Sequence, residues 1–315
     1  VRRVLILIPL LCVVSVITFA IIQLPPGDYL TLYIMQLESA GTVVAEEEIE
    51  MLKRLFGLDK PMYVQYLIWI RRILIHRDFG VSFQFQVPVS ELLVERVPLT
   101  VAVSLATTVF IFAVAVPIGI LSATYQYSLL DYVSTLIGFL GLSMPPFLLA
   151  LIAIWFAFDR FNMSAIGLFS PDYIDAAWSV GKVVDLLKHL WVPVIIIGMT
   201  GTASIIRVMR GTLLDELQRQ YVVTARSKGL PEVRLLLKYP VRTAINPIVS
   251  TIGWLLPGII SGEVLVSMVM NIPTTGPLLL TALLNQTMYL ACLVLLLLSS
   301  LTVVGTLVSD LLLVW

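Results

Sequence analysis

Six apolar stretches set the terms for any fold this chain can adopt: residues 4–24, 99–123, 132–158, 190–206, 245–270 and 289–315. Each is long enough, or nearly so, to cross a hydrocarbon layer about 30 Å thick, which takes about 20 residues of helix. The fourth is the shortest and is extended at its start by 183–189. In lipid each segment must satisfy its own backbone hydrogen bonds, so helices are expected. None alternates with the period of two that a barrel strand needs. Composition agrees, because 59% of the 315 residues are hydrophobic and only 13% are charged, about half the charge of a soluble domain. The expected fold class is an all-α integral membrane protein with about six transmembrane helices.

Lys and Arg in the short loops orient such a bundle. Segment 207–244 carries Arg207, Arg210, Arg219, Arg226, Lys228, Arg234, Lys238 and Arg242 against Asp215, Glu216 and Glu232, whereas 271–288 carries no charge. With Arg2 and Arg3 ahead of the first span, this places both termini and 207–244 in the cytosol. The link 125–131 falls on the same side, although it has no Lys or Arg. No small-residue cleavage site follows the first apolar run, which reads as an uncleaved anchor.

The domain reading is therefore a first transmembrane helix at 1–24, an external cap loop at 25–98, and a five-helix core at 99–315 with its cytosolic loop at 207–244. The cap is too long for the positive-inside rule to count its basic residues. Its pattern predicts a helix over 45–56 stopped by Gly57, then a second one capped by Asp59, with Pro61 in its first turn, running to about His76. Asp78-Phe-Gly-Val-Ser82 reads as a turn into an extended piece, and 90–97 as an amphipathic helix on the membrane surface. The second external loop, 159–189, is dotted with aromatics and is expected to lie against the outer interface.

A search for catalytic machinery finds none. The one Gly-Lys pair, Gly181-Lys182, is followed by Val183, so there is no phosphate-cradling loop. His-Glu-x-x-His and Gly-x-Ser-x-Gly are absent. His76 and His189 have no Cys or His neighbours, and Cys12 and Cys292 sit in apolar runs as expected free thiols. No metal, catalytic residue or bound cofactor is expected, and a net charge of zero gives no argument for a nucleic-acid partner.

Two features interrupt the spans. Glu263, in the fifth, would cost roughly 2.5–3.5 kcal/mol at the bilayer centre, so it must face protein or a wet cavity. It either lines a polar pathway or is a structural carboxylate bonded to a neighbouring helix. Ser143-Met-Pro145-Pro146-Phe147 breaks the third span, because proline removes backbone donors and clashes with the preceding turn. A plain packing kink is one reading. A break beside a pathway is the other, since the freed carbonyls need water or protein partners. Ser143, Pro145, Pro146, Phe147 and Glu263 are thus the candidate gate or pathway residues.

The segment Gln220-Tyr-Val-Val-Thr-Ala-Arg-Ser-Lys-Gly-Leu230 has the chemistry of a docking helix. Tyr221 and Leu230 offer apolar anchors, Arg226 and Lys228 offer donors to carboxylates or carbonyls, and Gly229 can end a helix in the left-handed conformation. The bland alternative is a solvated basic loop. This segment resembles the coupling loop of bacterial ABC-importer permeases of the dipeptide/oligopeptide type. Val223-Thr-Ala225 stands at the Glu-Ala-Ala positions, Gly229 at the glycine, and Leu237-Lys-Tyr-Pro240 resembles the motif's tail. Val223 replaces the glutamate, so a salt bridge from that position does not carry over. Further likeness is spread over about 300 residues, in Pro26-Gly-Asp28, Gly57-Leu-Asp-Lys-Pro61, Asp78-Phe-Gly-Val-Ser82, Glu95-Arg-Val-Pro98, Gly141-Leu-Ser143 with Pro145, and Glu263-Val264.

The resemblance implies a bacterial or archaeal inner-membrane subunit that pairs with a second, homologous permease subunit. It also implies two ATPase subunits, which bind ATP and Mg, under the cytosolic loops, and an extracytoplasmic solute-binding protein. Tyr221, Thr224, Ala225, Arg226, Lys228, Gly229 and Leu230 would then be the ATPase-docking residues. The resemblance leaves dipeptides, longer peptides, oligosaccharides and nickel complexes as solutes, a choice that lies with the binding protein. Segment 264–277 departs from the tryptophan-containing pattern of peptide members, which keeps oligosaccharides open. The rivals are a self-contained ion-coupled carrier or channel, which would transport without ATP, and an intramembrane enzyme, which would turn over alone.

Overall fold

The computed structural model describes residues 2–23, 60–82, 85, 87–161, 166–174, 176–285 and 287–314. The helix expected over 45–56 and its flanking Gly57 and Asp59 lie outside these. Helix α1 covers Arg2–Ile22, and α2, Met62–Arg71, runs on through a π-helical turn at Arg72–His76. A hairpin of β1 (Val81–Ser82) and β2 (Val87–Pro88) leads into α3, Val89–Thr124. Then come α4 (Leu129–Ser143), α5 (Pro146–Phe161), α6 (Val180–Leu217), α7 (Gln220–Ser227), α8 (Glu232–Lys238), α9 (Pro240–Val269), α10 (Thr275–Leu284) and α11 (Met288–Val314).

By length and composition α3, α6 and the Leu290–Leu311 part of α11 can each cross a membrane. Helices α4 and α5 together make a fourth candidate, bent by 105° at their junction. Each of the two is only about 22–24 Å long at about 1.5 Å per residue, too short to cross alone. Ile8–Ile22 and α10 are shorter apolar helices. The chain is thus a predominantly helical membrane protein.

Two local expectations change. The surface helix at 90–97 is not a separate element: it is the first part of the unbroken α3. The fourth span, read as the shortest, belongs to a helix of 38 residues, about 57 Å long. Lys182, Asp185, Lys188 and His189 precede its apolar centre, and Arg207 and Arg210 follow it. Charge limits the stretch that lipid accepts, but a helix continues wherever its backbone bonds continue.

Backbone contacts divide the chain into two units, Val1–Pro98 with Thr274–Val303, and Leu99–Pro273 with Val304–Trp315. Segment 274–303, read from sequence as part of the 99–315 core, thus groups with the N-terminal residues. In the first unit an aromatic cluster joins α1 to α2, with Phe19 edge-on to Tyr66 at 5.4 Å between centroids and 5.6 Å from Trp69. Polar pairs flank it: Ser15 with the Tyr66 hydroxyl at 2.8 Å, and Gln23 donating to Gln65 at 2.7 Å. The turn at Asp78 forms as its sequence predicts. The Asp78 carboxylate accepts the Gly80 N–H at 2.9 Å, and the strand begins at Val81.

In the second unit Val103, Thr107, Ile111 and Ala115 are all fully buried at a spacing of four along α3, which keeps them on one helix face. The unit's core adds Ile197, Ile205, Met209 and Leu213 of α6 and Val241, Ala244 and Ile248 of α9. The loop before α6 folds back on that helix. Ser170 gives both its N–H and its hydroxyl to Asp185, each at 2.7 Å. Lys182 gives its ammonium to the carbonyls of Ile174 and Ala176, 4.9 Å from the centre of the Phe169 ring.

Helices α3 and α6 approach closely at Gly119, where a Cβ would stand 2.6 Å from Met209 Cβ and 3.2 Å from the Ile206 carbonyl oxygen. Gly119→Leu should therefore destabilise the protein by on the order of 1–3 kcal/mol, the usual penalty of overpacking. A lowered Tm of the purified protein in detergent checks this. An unchanged Tm would show that the helix pair separates at no cost.

Candidate functional site

The break between α4 and α5 follows from hydrogen-bond accounting. Pro145 has no N–H to give the carbonyl of Gly141, four residues back. The Thr200 hydroxyl of α6 donates to that carbonyl instead, at 3.2 Å. The chain resumes as helix when the Pro145 carbonyl accepts from Leu148 at 3.0 Å and from Leu149 at 3.3 Å. Around the break lies a cavity of about 460 Å³ lined by Ser143, Pro145, Pro146, Thr200, Ser204 and Leu255, with Ile111 and Ile259 among its apolar walls. Phe147 is not part of that lining and is 37% exposed. Glu263 does not line it either: it is buried in α9, where Ser267 donates to its carboxylate at 3.5 Å.

The other end of α4 holds a feature that sequence reading missed. Asp131, in the first turn of α4, is buried, and its carboxylate receives the Arg210 guanidinium through two bonds, Nε at 2.8 Å and a terminal nitrogen at 2.9 Å. The Ser122 hydroxyl of α3 and the Tyr127 N–H, at 3.0 Å, donate to the same carboxylate. Four donors on one carboxylate hold the end of α3, the start of α4 and α6 at one point. The signal available in sequence was Ser128-Leu-Leu-Asp131, a helix-capping pattern, and Ser128 does accept the Asp131 N–H at 3.3 Å. That pattern places Asp131 in a first helical turn. It says nothing of Arg210, 79 positions away.

Two residues, Gln218 and Arg219, separate the end of α6 from the start of α7. Its inner face is a miniature core of Val222, Ala225 and Leu235, with Leu230 and Tyr239 packed against it. Gly229 has φ +76°, the left-handed conformation that ends a helix and turns the chain toward α8. Arg226 grips Glu232 of α8 across this turn, Nε at 3.1 Å and a terminal nitrogen at 2.5 Å. Tyr221 donates its hydroxyl to Glu216 of α6, and partial burial with that carboxylate beside it pushes the phenol above its ordinary pKa. The seven residues picked from sequence thus divide. Tyr221, Thr224, Arg226, Lys228 and Gly229 are exposed, as is Val223, while Ala225 is buried and Leu230 half-buried on the inner side. Among the described residues no cluster of His, Cys, Asp and Glu could hold a metal.

This arrangement defines a class: a helical membrane component with an interrupted span beside a cavity and a compact charged helix pair, α7 and α8, joined to the long α6. Residues 115–315 match the family model described as "Binding-protein-dependent transport system inner membrane component", and residues 1–106 match the N-terminal model of such membrane components. The chain belongs to that family of transport permeases. It is 31% identical to the oligopeptide transport system permease protein AppB of Bacillus subtilis over 315 residues, 99% of this chain and 95% of that protein. It is 30% identical to the dipeptide transport system permease protein DppB of Escherichia coli K12 over 298 residues, 90% of this chain and 86% of that one.

Two predictions follow from this geometry. Thr200→Val keeps the shape of the side chain but strips the Gly141 carbonyl of its donor. It should cost about 0.6–1.7 kcal/mol, the range for hydrogen bonds between membrane helices, read as a lowered Tm in detergent. For the α7–α8 turn, the hydrogen bond from Arg226 lowers the Glu232 pKa. A depressed carboxylate pKa contributes stability above its unfolded value, about 4.3, and loses it as pH falls through the folded value. Hydrogen exchange of α7 should therefore lose protection on acidification below about pH 4, and a Glu232→Gln protein should lack that step.

Proposed function

We propose that this chain is a transmembrane permease subunit of an ATP-driven importer of peptides, forming half of the solute pathway with a second, homologous permease subunit. In this reading six spans cross the inner membrane with both termini in the cytosol. Two ATPase subunits, carrying ATP and Mg, dock under the 207–244 loop, and an extracytoplasmic binding protein delivers the solute. The basic residues of 207–244 and the uncharged 271–288 support that orientation. The peptide class is supported by the relatives, which carry oligopeptide and dipeptide transport in their names.

The observation that carries the mechanism is the folded α7–α8 unit, separated by two residues from the end of a 38-residue helix in a chain without a nucleotide-binding motif of its own. Tyr221, Val223, Thr224 and Lys228 form the face offered to an ATPase subunit, with Gly229 at the turn and Arg226 at its edge. Ala225 and Leu230 act from the inner side, by keeping α7 seated. Closure of the ATPase pair on ATP would shift α7 and the helices attached to it. The cavity at Pro145 and Pro146 would then open alternately to the two sides.

The test is uptake by the complete complex in proteoliposomes, with labelled di- and oligopeptides and with oligosaccharides as competing solutes. Uptake is expected to require ATP and the binding protein, and to favour peptides. Gly229→Val forces a β-branched residue into a left-handed turn, a strain of about 1–3 kcal/mol. Docking should weaken by roughly 5- to 150-fold, leaving uptake low while the ATPase subunits retain basal hydrolysis. Full uptake and full solute-stimulated hydrolysis in an assembled Gly229→Val complex would overturn the docking assignment. Transport by the purified chain alone on an ion gradient would establish the carrier reading instead.

A further inference from the structure

Helices α4 and α6 run antiparallel and are joined at two polar points in matching register. Asp131 meets Arg210 near one end, and the Gly141 carbonyl meets Thr200 near the other. The two points are separated by ten residues on each helix, which is about 15 Å at about 1.5 Å per residue. Along this stretch the helices come close where the residues are small, beside a cavity of about 220 Å³ whose lining includes Ser134, Phe139, Arg207 and Arg210. A Cβ on Gly138 would lie 3.9 Å from that of Ala203, and one on Gly141 would lie 3.3 Å from the Met199 carbonyl oxygen. Arg207 covers the Phe139 ring at 5.6 Å.

At its far end α6 passes directly into α7: Arg219 donates its N–H to Glu216 at 3.1 Å, Val222 donates to Arg219 at 3.0 Å, and Tyr221 is bonded to Glu216. Arg210 sits seven residues before Leu217, the last residue of α6, or about two helical turns. The Asp131 node is thus the attachment of α4 nearest to α7, and the Pro145 break lies at the opposite end of the same helix.

We propose that Asp131 and Arg210 are positioning residues that make α4 travel with α6 as one rigid body. Movement of α7 is thereby delivered to the break at Pro145 and Pro146. The role assigned to them requires no contact with solute or ATP. Their charges hold α4 in register with α6, and the flexible point is displaced to the α4–α5 junction, where the backbone ladder is already interrupted. This inference rests on the reading of α7 as the docked helix.

The distance between Gly138 and Ala203 supplies the experiment, because two Cβ atoms 3.9 Å apart lie within the span of a disulfide. In a chain with Cys12→Ser and Cys292→Ser, Gly138→Cys and Ala203→Cys are introduced and the full complex is assembled. If α4 and α6 move together, oxidation to the disulfide leaves ATP-driven peptide uptake unchanged. A loss of uptake on oxidation that reductant restores would overturn the proposal, because the helices would then have to slide or part during the cycle. In the same background, Asp131→Asn should lower the solute taken up per ATP hydrolysed by roughly fivefold or more. The disulfide should restore that ratio, and reductant should abolish it again; a defect of folding alone would not follow the redox state.

Native coupling in an assembled, reduced Asp131→Asn complex would also overturn the proposal. If that variant does not assemble, the disulfide lock in the Asp131 chain decides by itself. Gly229→Val, run beside these variants, separates the two readings. If it uncouples while the lock blocks uptake, only the rigid-body inference fails. If it has no effect, the docking of α7 fails.

Discussion

A backbone carbonyl that loses its donor in a medium without water must find another, and much of the second unit can be understood from that demand. Pro145 deprives Gly141 of its helical partner, and Thr200 replaces it at 3.2 Å. The replacement fixes α6 against α4 at the point where α4 stops. It also requires a small residue at position 141, since a Cβ there would stand 3.3 Å from the Met199 carbonyl oxygen. The cavity follows from the same constraint. A 105° turn between two short helices leaves a space that straight helices would have closed, and its walls carry the Ser and Thr hydroxyls that a broken ladder needs.

The sequence made some of this plain and hid the rest for identifiable reasons. Apolar length revealed the helices, and the Pro145-Pro146 pair revealed the break, because both effects act within a few residues. The left-handed turn at Gly229 was equally local. The extent of α6 was hidden because hydropathy registers where lipid ends, whereas a helix ends where capping ends. Its start at Val180 is set by Ser179, which accepts the Lys182 N–H at 3.2 Å. The continuity of α3 through 90–97 was hidden for the same reason. Asp131 could be placed at a helix start from Ser128, but its pairing with Arg210 depends on how two helices lie side by side, which local pattern does not encode.

Arg226 illustrates a subtler limit. Its residue type promised a donor for a partner's carboxylate, and in the folded chain that role is filled from within by Glu232. Ala225 shows the same inward turn. A small residue in a surface helix is easily read as room for a partner, yet here it is room for Leu235 and Tyr239 of the chain's own α8 region. The side chains left on the outside are fewer than the motif implied, and Val223, where the related pattern has a glutamate, is one of them.

The small core of Val222, Ala225 and Leu235 has an entropic consequence. A loop held in shape by its own side chains has spent its ordering entropy in folding, so that cost does not fall on a later docking step. A partner that docks on α7 would meet a surface already ordered, with Val223, Thr224 and Lys228 facing outward.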